Sequence, residues 1–141
     1  MIYVANDHGG YQTKIKVLRL LEKHDIEFQD LGTNSTDSVD YPDYAEKLAK
    51  QVLKDDAVGI LICTTGIGMS IAVNRFKGIR GALCRSKKDA ELARSHNNAN
   101  VLVLGADECP RKRKQIIQTF LNTQFSGGRH QKRVEKMDSF K

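Results

Sequence analysis

The sequence predicts a single α/β domain built on a parallel, doubly wound sheet. Short apolar runs rich in β-branched residues alternate strictly with longer amphipathic segments, giving five strands and five helices. That order is typical of a parallel sheet with helices on both faces. The 141 residues fit one domain over 1–141, and they contain no internal repeat, low-complexity tract or interdomain linker.

Each predicted element follows from its local pattern. Strands are predicted over Ile2–Ala5, Glu27–Leu31, Val58–Cys63, Gly81–Cys84 and Val101–Gly105. Helices are predicted over Tyr11–Lys23, Pro42–Lys54, Ile67–Arg75, Lys87–Ser95 and Pro110–Asn122. In the first helix, Ile15, Leu18 and Glu22 show the i, i+3, i+7 spacing, and the proline that begins the second fits a first helical turn.

The segment 126–141 departs from this alternation and reads as a C-terminal basic tail. Two glycines, Gly127 and Gly128, precede the basic run that begins at Arg129. Arg129 and Arg133 stand at i and i+4, so a helix would place both on one face, where they could hold a phosphate. A solvated basic helix is the alternative.

Composition narrows the functional class. Apolar residues make up 40% and charged residues 28%, an ordinary globular balance, and no apolar run approaches the roughly 18 residues of a membrane span. Three cysteines without C-x-x-C spacing argue against disulfides or a zinc site. No signal peptide is visible at the N-terminus, so we expect a cytoplasmic protein.

The net charge of +6 is compatible with nucleic acid or with anionic small molecules. Aromatic residues are only 6% of the chain, and none interleave with the basic residues along the strands as stacking platforms for bases would. We therefore expect a small anionic ligand, with no nucleic acid and no membrane as partner.

Ligands of doubly wound sheets gather at the carboxyl ends of the strands, which directs attention to Cys63. This cysteine ends a buried strand and precedes a turn containing Gly66 and Gly68, with a helix predicted from Ile67. A helix N-terminus favours the thiolate form, which can act as nucleophile or proton-abstracting base. A small buried hydrophobe is the alternative for Cys63 and the expected role of Cys84, while Cys109 is assigned none.

Other strand ends and loops add candidates. Asp7 and His8 follow the first strand and could orient a sugar hydroxyl and bind a phosphate, although Asp7 could simply cap the next helix. His96 lies in a polar cluster typical of a turn. The basic run 111–114 at a helix start opposes the helix dipole, so it is either solvated or compensated by an anion or a partner subunit.

Taken together, five motifs in one order resemble ribose-5-phosphate isomerase B, in the family that includes the galactose-6-phosphate isomerase subunits. The motifs are DHGG at 7–10, VDYPDY at 39–44, ICTTGIGMSIA at 62–72, HNNANV at 96–101 and GGRHQKRV at 127–134. The resemblance spans nearly the whole chain. It implies a Rossmann-like three-layer α/β/α sandwich, a homodimer or dimer of dimers with shared active sites, and neither metal nor cofactor.

The resemblance also implies a role for each matching residue. Cys63 would be the base that moves a proton between C1 and C2 of a sugar phosphate, and His96 would open the furanose ring. The substrate would be lined by Asp7, His8, Thr64, Thr65, Gly66, Ile67, Gly68 and Asn97, with Arg129 and Arg133 on its phosphate. Loop N–H groups would stabilise the enediolate that proton removal leaves. The implied reaction interconverts ribose 5-phosphate and ribulose 5-phosphate in the non-oxidative pentose phosphate pathway.

Two positions sort this chain within the family. One branch uses a glutamate base where Met69 stands, so the chain resembles the cysteine-dependent branch. Members commonly carry a phosphate-binding arginine where Asp107 stands, and we expect Arg111 or Arg113 to neutralise Asp107 or to replace that arginine. A sister isomerase for a 6-phosphate hexose, allose or galactose, and a non-catalytic phosphosugar-binding module remain alternatives.

Overall fold

A computed structural model describes residues 1–140. Its centre is a five-stranded sheet in the order β2-β1-β3-β5-β4, and every pair of neighbours is parallel. The strands are β1 (Ile2–Asn6), β2 (Phe28–Asp30), β3 (Val58–Cys63), β4 (Gly81–Leu83) and β5 (Val101–Gly105). The sheet and its helices form the three-layer Rossmann-like sandwich that the sequence predicted.

Helices connect the strands and return the chain from one edge of the sheet to the other. They are α1 (Tyr11–Lys23), α2 (Tyr41–Asp55), α3 (Ile67–Val73), α4 (Lys87–Ser95), α5 (Pro110–Asn122) and α6 (Arg129–Asp138). A short 3-10 helix, His8–Gly10, precedes α1. Within residues 1–140, no helix is both long enough and apolar enough to cross a membrane.

The predicted boundaries hold closely, with differences at element ends. β4 ends at Leu83, the last residue in register with β5 and one residue before the predicted end at Cys84, and α3 ends at Val73, before the predicted Arg75. The tail predicted over 126–141 contains the sixth helix, α6, while its last residue lies outside the described part. The tail contacts the remainder of the chain, since the Ser126 N–H donates to the Ser95 carbonyl at 2.9 Å.

Two apolar layers cover the two faces of the sheet. One packs α1, α4 and α5 against β-strand side chains such as Ile60 and Leu102, and the other packs α2 and α3 against Leu61 and Val103. Alternate residues of β3 and β5 therefore point into opposite layers, as a strand buried on both faces requires. Because the sheet is buried on both faces, the candidate functional residues lie in the loops at its two edges.

We define the carboxyl edge as the edge where the strands end and the amino edge as the edge where they begin. The loops after β1, β3, β4 and β5 lie at the carboxyl edge. The end of α4 lies at the amino edge, because Asn100 precedes β5 and its N–H donates to the carbonyl of Arg80, which precedes β4. The tail lies there too: Asp138 of α6 is bound by Arg80, with a nitrogen–oxygen distance of 3.0 Å.

Candidate active site

Cys63 ends β3 at the carboxyl edge, where its side chain is buried. The Gly66 N–H donates a hydrogen bond to its sulfur, with a nitrogen–sulfur distance of 3.1 Å. A sulfur that accepts a hydrogen bond is stabilised in the thiolate form, which is the form that can take a proton. The loop therefore directs the Gly66 N–H at the sulfur of Cys63, the atom that must be ionised if Cys63 acts as the predicted base.

Backbone conformation and close packing explain why two positions of this loop are glycine. Gly66 adopts a φ of 82°, in the left-handed region, and a Cβ there would lie 2.5 Å from Leu83. At Gly68 a Cβ would lie 2.8 Å from the ring of Tyr41, so only glycine lets that ring approach α3 so closely. Ile67, between them, is exposed, and its N–H donates to the Thr65 hydroxyl oxygen at 3.2 Å.

The loop after β1 packs against the loop after β3. A Cβ on Gly9 would overlap the hydroxyl of Thr64, so the two loops touch where glycine leaves room. The Asp7 carboxylate accepts the Gly10 N–H at 3.0 Å, which makes Asp7 the cap of the 3-10 helix, and its second oxygen makes no hydrogen bond within residues 1–140.

His8 is oriented by its backbone surroundings. Its Nδ1 accepts the Val39 N–H at 3.1 Å, so the neutral ring carries its proton on Nε2. That arrangement turns Nε2 into a donor suited to a phosphate oxygen. Val39 and Tyr41 belong to the segment before and at the start of α2, and sequence reasoning assigned neither a role.

Cys84 also lies at the carboxyl edge, just after β4, but in a different environment. Its side chain is buried, and its sulfur donates to the Ala82 carbonyl at 3.6 Å. Burial, and secondly the negative charge of Asp89, raise the pKa of this thiol to about 12. The burial of this thiol and its hydrogen bond to Ala82 are consistent with the structural role predicted for Cys84.

The expected partner of Asp107 is not the one the structure contains. Asp107 is bound by Arg85, with a nitrogen–oxygen distance of 2.9 Å, whereas Arg113 is buried and donates to the Glu108 carbonyl. Arg113 lies about one turn into α5, and its Nη1 donates to the Glu108 carbonyl oxygen at 3.3 Å, so it is bound to the loop backbone and not to the Asp107 carboxylate. The expectation that Arg111 or Arg113 neutralises Asp107 is therefore wrong; Arg85 does.

At the amino edge, His96 stacks on His130 of α6, with ring centroids 4.1 Å apart and an interplanar angle of 15°. The pKa of His130 is lowered by burial first, then by His96 and by Arg129 and Arg133. Protonating both stacked rings would place two positive charges in contact, so the pair favours having at least one neutral ring.

The loop after α4 that carries His96 and Asn97 is held by Arg94. Its guanidinium donates to the Ala99 carbonyl at 2.5 Å and to the Asn98 side-chain oxygen at 3.2 Å. Burial is the main cause that lowers the pKa of Arg94. Asn97 itself is exposed, so this polar cluster is a braced turn that presents His96 and Asn97 outward.

Arg129 and Arg133 lie one turn apart on α6, as the i, i+4 spacing predicted, and both are exposed. Neither guanidinium has an acidic partner within residues 1–140. Two uncompensated guanidinium groups next to the stacked histidines form a cationic surface suited to a phosphate.

The candidate residues thus form two groups in one chain. The carboxyl-edge group consists of Asp7, His8, Cys63, Thr64, Thr65, Gly66, Ile67 and Gly68. The amino-edge group consists of His96, Asn97, Arg129 and Arg133. The length of β5 separates them, about 16 Å at roughly 3.3 Å per residue for five residues. One chain therefore does not bring the two groups together around a five-carbon ligand.

No cluster of three or more histidine, cysteine or acidic side chains that could hold a metal occurs within residues 1–140. Arg85 is a further residue at the carboxyl edge to which sequence reasoning assigned no role. The available signal was its position, directly after Cys84 at the end of a strand, where ligands of parallel sheets gather.

Comparison with known proteins identifies the class to which this fold and these loops belong. The family model described as Ribose/Galactose Isomerase matches residues 2–137, and the chain belongs to this family. The ribose-5-phosphate isomerase B of Escherichia coli (strain K12) is 42% identical over 131 residues, covering 92% of this chain and 88% of that protein.

Solved structures agree over the whole fold. The crystal structure of a ribose 5-phosphate isomerase from Thermotoga maritima superimposes with a TM-score of 0.95 at 50% identity, covering 99% of this chain and 97% of that one. The ribose-5-phosphate isomerase B of Mycoplasma genitalium, solved with bound ribulose-5-phosphate, gives a TM-score of 0.93 at 41% identity, covering 97% and 93%. The family predicted from the sequence motifs is confirmed.

Proposed function

We propose that this chain is an aldose–ketose isomerase that interconverts D-ribose 5-phosphate and D-ribulose 5-phosphate. The observation that carries the proposal is the sulfur of Cys63, which accepts the Gly66 N–H at the carboxyl edge of a chain belonging to the Ribose/Galactose Isomerase family. The Escherichia coli relative is named for this activity, and the Mycoplasma genitalium structure holds ribulose-5-phosphate. The family and these relatives support an enzyme over a non-catalytic module.

The chemistry follows from the placement of Cys63. In the open-chain aldose the proton on C2 is acidified by the C1 carbonyl, so a thiolate can remove it and leave an enediolate. Return of that proton to C1, with proton transfer from the C2 oxygen to the C1 oxygen, yields the ketose. N–H groups in the loop and the first turn of α3 are proposed to stabilise the negative oxygen that develops between these steps.

Roles at the amino edge concern the rest of the substrate. His96 is proposed to protonate the ring oxygen and open the furanose, since imidazole is the side chain most often used for general acid–base catalysis. Arg129 and Arg133 are proposed to hold the phosphate with His8, while Asp7 and Asn97 contact sugar hydroxyls. The ring-opening and phosphate groups thus lie on the edge opposite to the base.

We further propose that each active site is shared by two chains of a homodimer. The support is the separation of the two groups, because only a second chain can place His96 beside Cys63 without unfolding the sheet. A two-fold dimer forms two such sites, each with the carboxyl edge of one chain and the amino edge of its partner. Pairs of dimers would preserve the same sites.

Hybrid dimers test this proposal. Cys63→Ala and His96→Ala chains, each inactive alone, should recover about a quarter of wild-type activity when refolded together, since half the dimers are hybrids with one intact site of two. Cys63→Ala mixed with Asp7→Ala should recover nothing, because both defects lie on the same edge. If the first mixture also recovers nothing while hybrids form, the site lies within one chain.

A substrate panel tests the specificity. We expect the highest kcat/KM with ribose 5-phosphate and at least about tenfold less with allose 6-phosphate and galactose 6-phosphate. A reversed ranking would make this chain the sister hexose isomerase. Binding without turnover of any of the three would make it a phosphosugar-binding module.

The proposed reaction places the protein in the non-oxidative pentose phosphate pathway. Its three free thiols fit the reducing cytoplasm, where structural disulfides are rare.

A further inference from the structure

The guanidinium of Arg85 joins the loop after β3 to the loop after β5. Its Nη2 donates to the Thr65 carbonyl oxygen at 2.7 Å, and its Nη1 donates to the Asp107 carboxylate at 2.9 Å. The Glu108 carboxylate lies farther away, at 3.9 Å. One side chain therefore fixes a backbone carbonyl of the catalytic loop while an acidic residue fixes that side chain.

The carbonyl that Arg85 binds is half of a peptide group whose other half serves Cys63. The Thr65 carbonyl and the Gly66 N–H belong to one planar unit, in which the two groups point in opposite directions. On one side the oxygen accepts from Arg85, and on the other the N–H donates to the Cys63 sulfur at 3.1 Å. A continuous path of hydrogen bonds thus runs from guanidinium to sulfur.

We propose that Arg85 is a positioning residue for the Cys63 thiolate, an inference that rests on the proposed function of Cys63. A cation on the carbonyl oxygen polarises the peptide, so its N–H becomes a stronger donor to sulfur. The same contact holds the peptide plane against rotation, which keeps the N–H aimed at the sulfur. Asp107 orients Arg85 for this contact.

The surrounding backbone makes room for this arrangement and anchors it. A Cβ on Gly105 would overlap the Asp107 carboxylate and would lie 2.7 Å from Arg85 Nη1 and 2.9 Å from the Thr65 oxygen, so these three groups converge over a glycine. The Arg85 backbone is itself fixed, because its N–H donates to the Asp89 carboxylate at 3.0 Å in the first turn of α4.

A direct role on the substrate phosphate is the competing interpretation of Arg85. It is disfavoured because both terminal nitrogens already have acceptors, one of them a carboxylate that would repel a dianion. Asp7 and His8 after β1, Asp89 in the first turn of α4 and Glu108 after β5 are ionisable side chains at the same edge, and none of them hydrogen-bonds to the Thr65–Gly66 peptide.

Thiolate absorbance in the ultraviolet tests the proposal in a Cys109→Ser background. Below about pH 9 the signal then comes from Cys63 alone, since the pKa of Cys84 is raised to about 12. We expect Arg85→Ala to lower the thiolate signal at neutral pH by about threefold or more. Lys88→Ala is the matched control, because Lys88 is a nearby cation whose contact is Glu91, and it should leave the signal unchanged.

Kinetics separate positioning from phosphate binding. We expect Arg85→Ala to lower kcat about tenfold with KM within about twofold, less than the loss of a direct oxyanion donor. Arg85→Lys, which retains the charge and one donor, should restore part of both readouts. If Arg85→Ala does not fold, Arg85→Lys and Asp107→Asn carry the test, each expected to reduce the thiolate signal partially.

The contrary results are distinct. A raised KM with unchanged kcat and unchanged thiolate signal would make Arg85 a phosphate ligand, and wild-type values throughout would make it a surface residue. Either result overturns the proposal. If the parent protein showed no isomerase activity, the proposed function would fail, yet the thiolate signal would still decide whether Arg85 acts on Cys63.

Discussion

Cys63 and Cys84 follow the same pattern along the chain but differ in chemistry. Cys63 ends β3 and Cys84 directly follows β4, the two strands that flank β5; both thiols lie at the carboxyl edge and are buried, with exposed fractions of 5% and 1%. The sulfur of Cys63 accepts a hydrogen bond from Gly66, whereas the sulfur of Cys84 donates one to Ala82. Both thiols are buried, and they differ in the hydrogen bond that each sulfur makes.

The difference originates in a few residues of sequence. After Cys63 the chain contains a glycine with positive φ, which turns a backbone N–H back onto the sulfur. After Cys84 the chain continues into Arg85 and the Ser86 cap of α4, so no N–H reaches that sulfur. Arg85 instead reaches across to the Cys63 loop, where its guanidinium donates to the Thr65 carbonyl oxygen at 2.7 Å.

The largest expected effect is on turnover by alanine variants of the two cysteines. Cys63→Ala should lower kcat by more than about a thousandfold while substrate binding stays within several-fold, because the thiolate acts on a proton and not on the phosphate. Cys84→Ala should keep kcat within about twofold. A coupled isomerase assay and a thermal shift with ribose 5-phosphate measure both. Residual turnover of Cys63→Ala above about 1% of wild type would exclude Cys63 as the base.

A second prediction contrasts the two edges of the sheet. His96→Ala should lower turnover of cyclic ribose 5-phosphate by about a hundredfold, since ring opening needs a proton donor, and should change deuterium exchange into ribulose 5-phosphate by less than about fivefold. Ribulose 5-phosphate bears its phosphate on the oxygen that furanose closure would require, so it reacts without ring opening. Equal losses in the two assays would remove the ring-opening role of His96.

The smallest expected effect concerns stability and pH. Cys84→Ala should cost about 1 kcal/mol in the free energy of unfolding at neutral pH, through a small cavity. Because the pKa of Cys84 is raised in the folded protein, the folded protein keeps the thiol proton at pH values where the unfolded chain, with the ordinary cysteine pKa of 9.0, loses it. The contribution of this thiol to the free energy of unfolding is fully present below pH 9.0 and is lost as the pH rises toward about 12.

The size of the pH effect follows from the same shift. Between neutral pH and about pH 10 the advantage of the wild type over Cys84→Ala should fall by about 1.4 kcal/mol, so the two become about equally stable. Denaturant unfolding at the two pH values measures this, and other titrating groups cancel because both proteins contain them. A difference that does not change with pH would mean that Cys84 titrates normally.

Local patterns predicted the fold well, and the reasons lie in particular elements. β3 and β5 are continuous apolar runs bounded by polar loops, and α5 begins at the proline and ends at the asparagine that the pattern indicated. The ends of β2, β4 and α3 differ from their predicted positions by one or two residues, the usual uncertainty of an element's last residue. The motif at 62–72 located Cys63 and its glycine turn correctly at a strand end.

Long-range contacts could not be predicted in the same way. Nothing near Asp107 in the sequence indicates that Arg85, 22 residues earlier, is its partner, and the downstream cations Arg111 and Arg113 misled that expectation. Likewise, the motif around His96 indicates a role but not an edge of the sheet. The direction in which α4 returns decides that edge, and only the folded chain reveals how far His96 lies from Cys63 within one chain.

Deuterium exchange into ribulose 5-phosphate tests the role of Cys63 most directly, because it follows the single proton transfer without ring opening or product release. In deuterated water, wild type and Cys84→Ala should exchange the transferable C1 hydrogen at comparable rates, detected by nuclear magnetic resonance. Cys63→Ala should show no exchange above about a thousandth of the wild-type rate. Exchange by Cys63→Ala at a rate near that of Cys84→Ala would show that another group removes the proton and would contradict the contrast between the two cysteines.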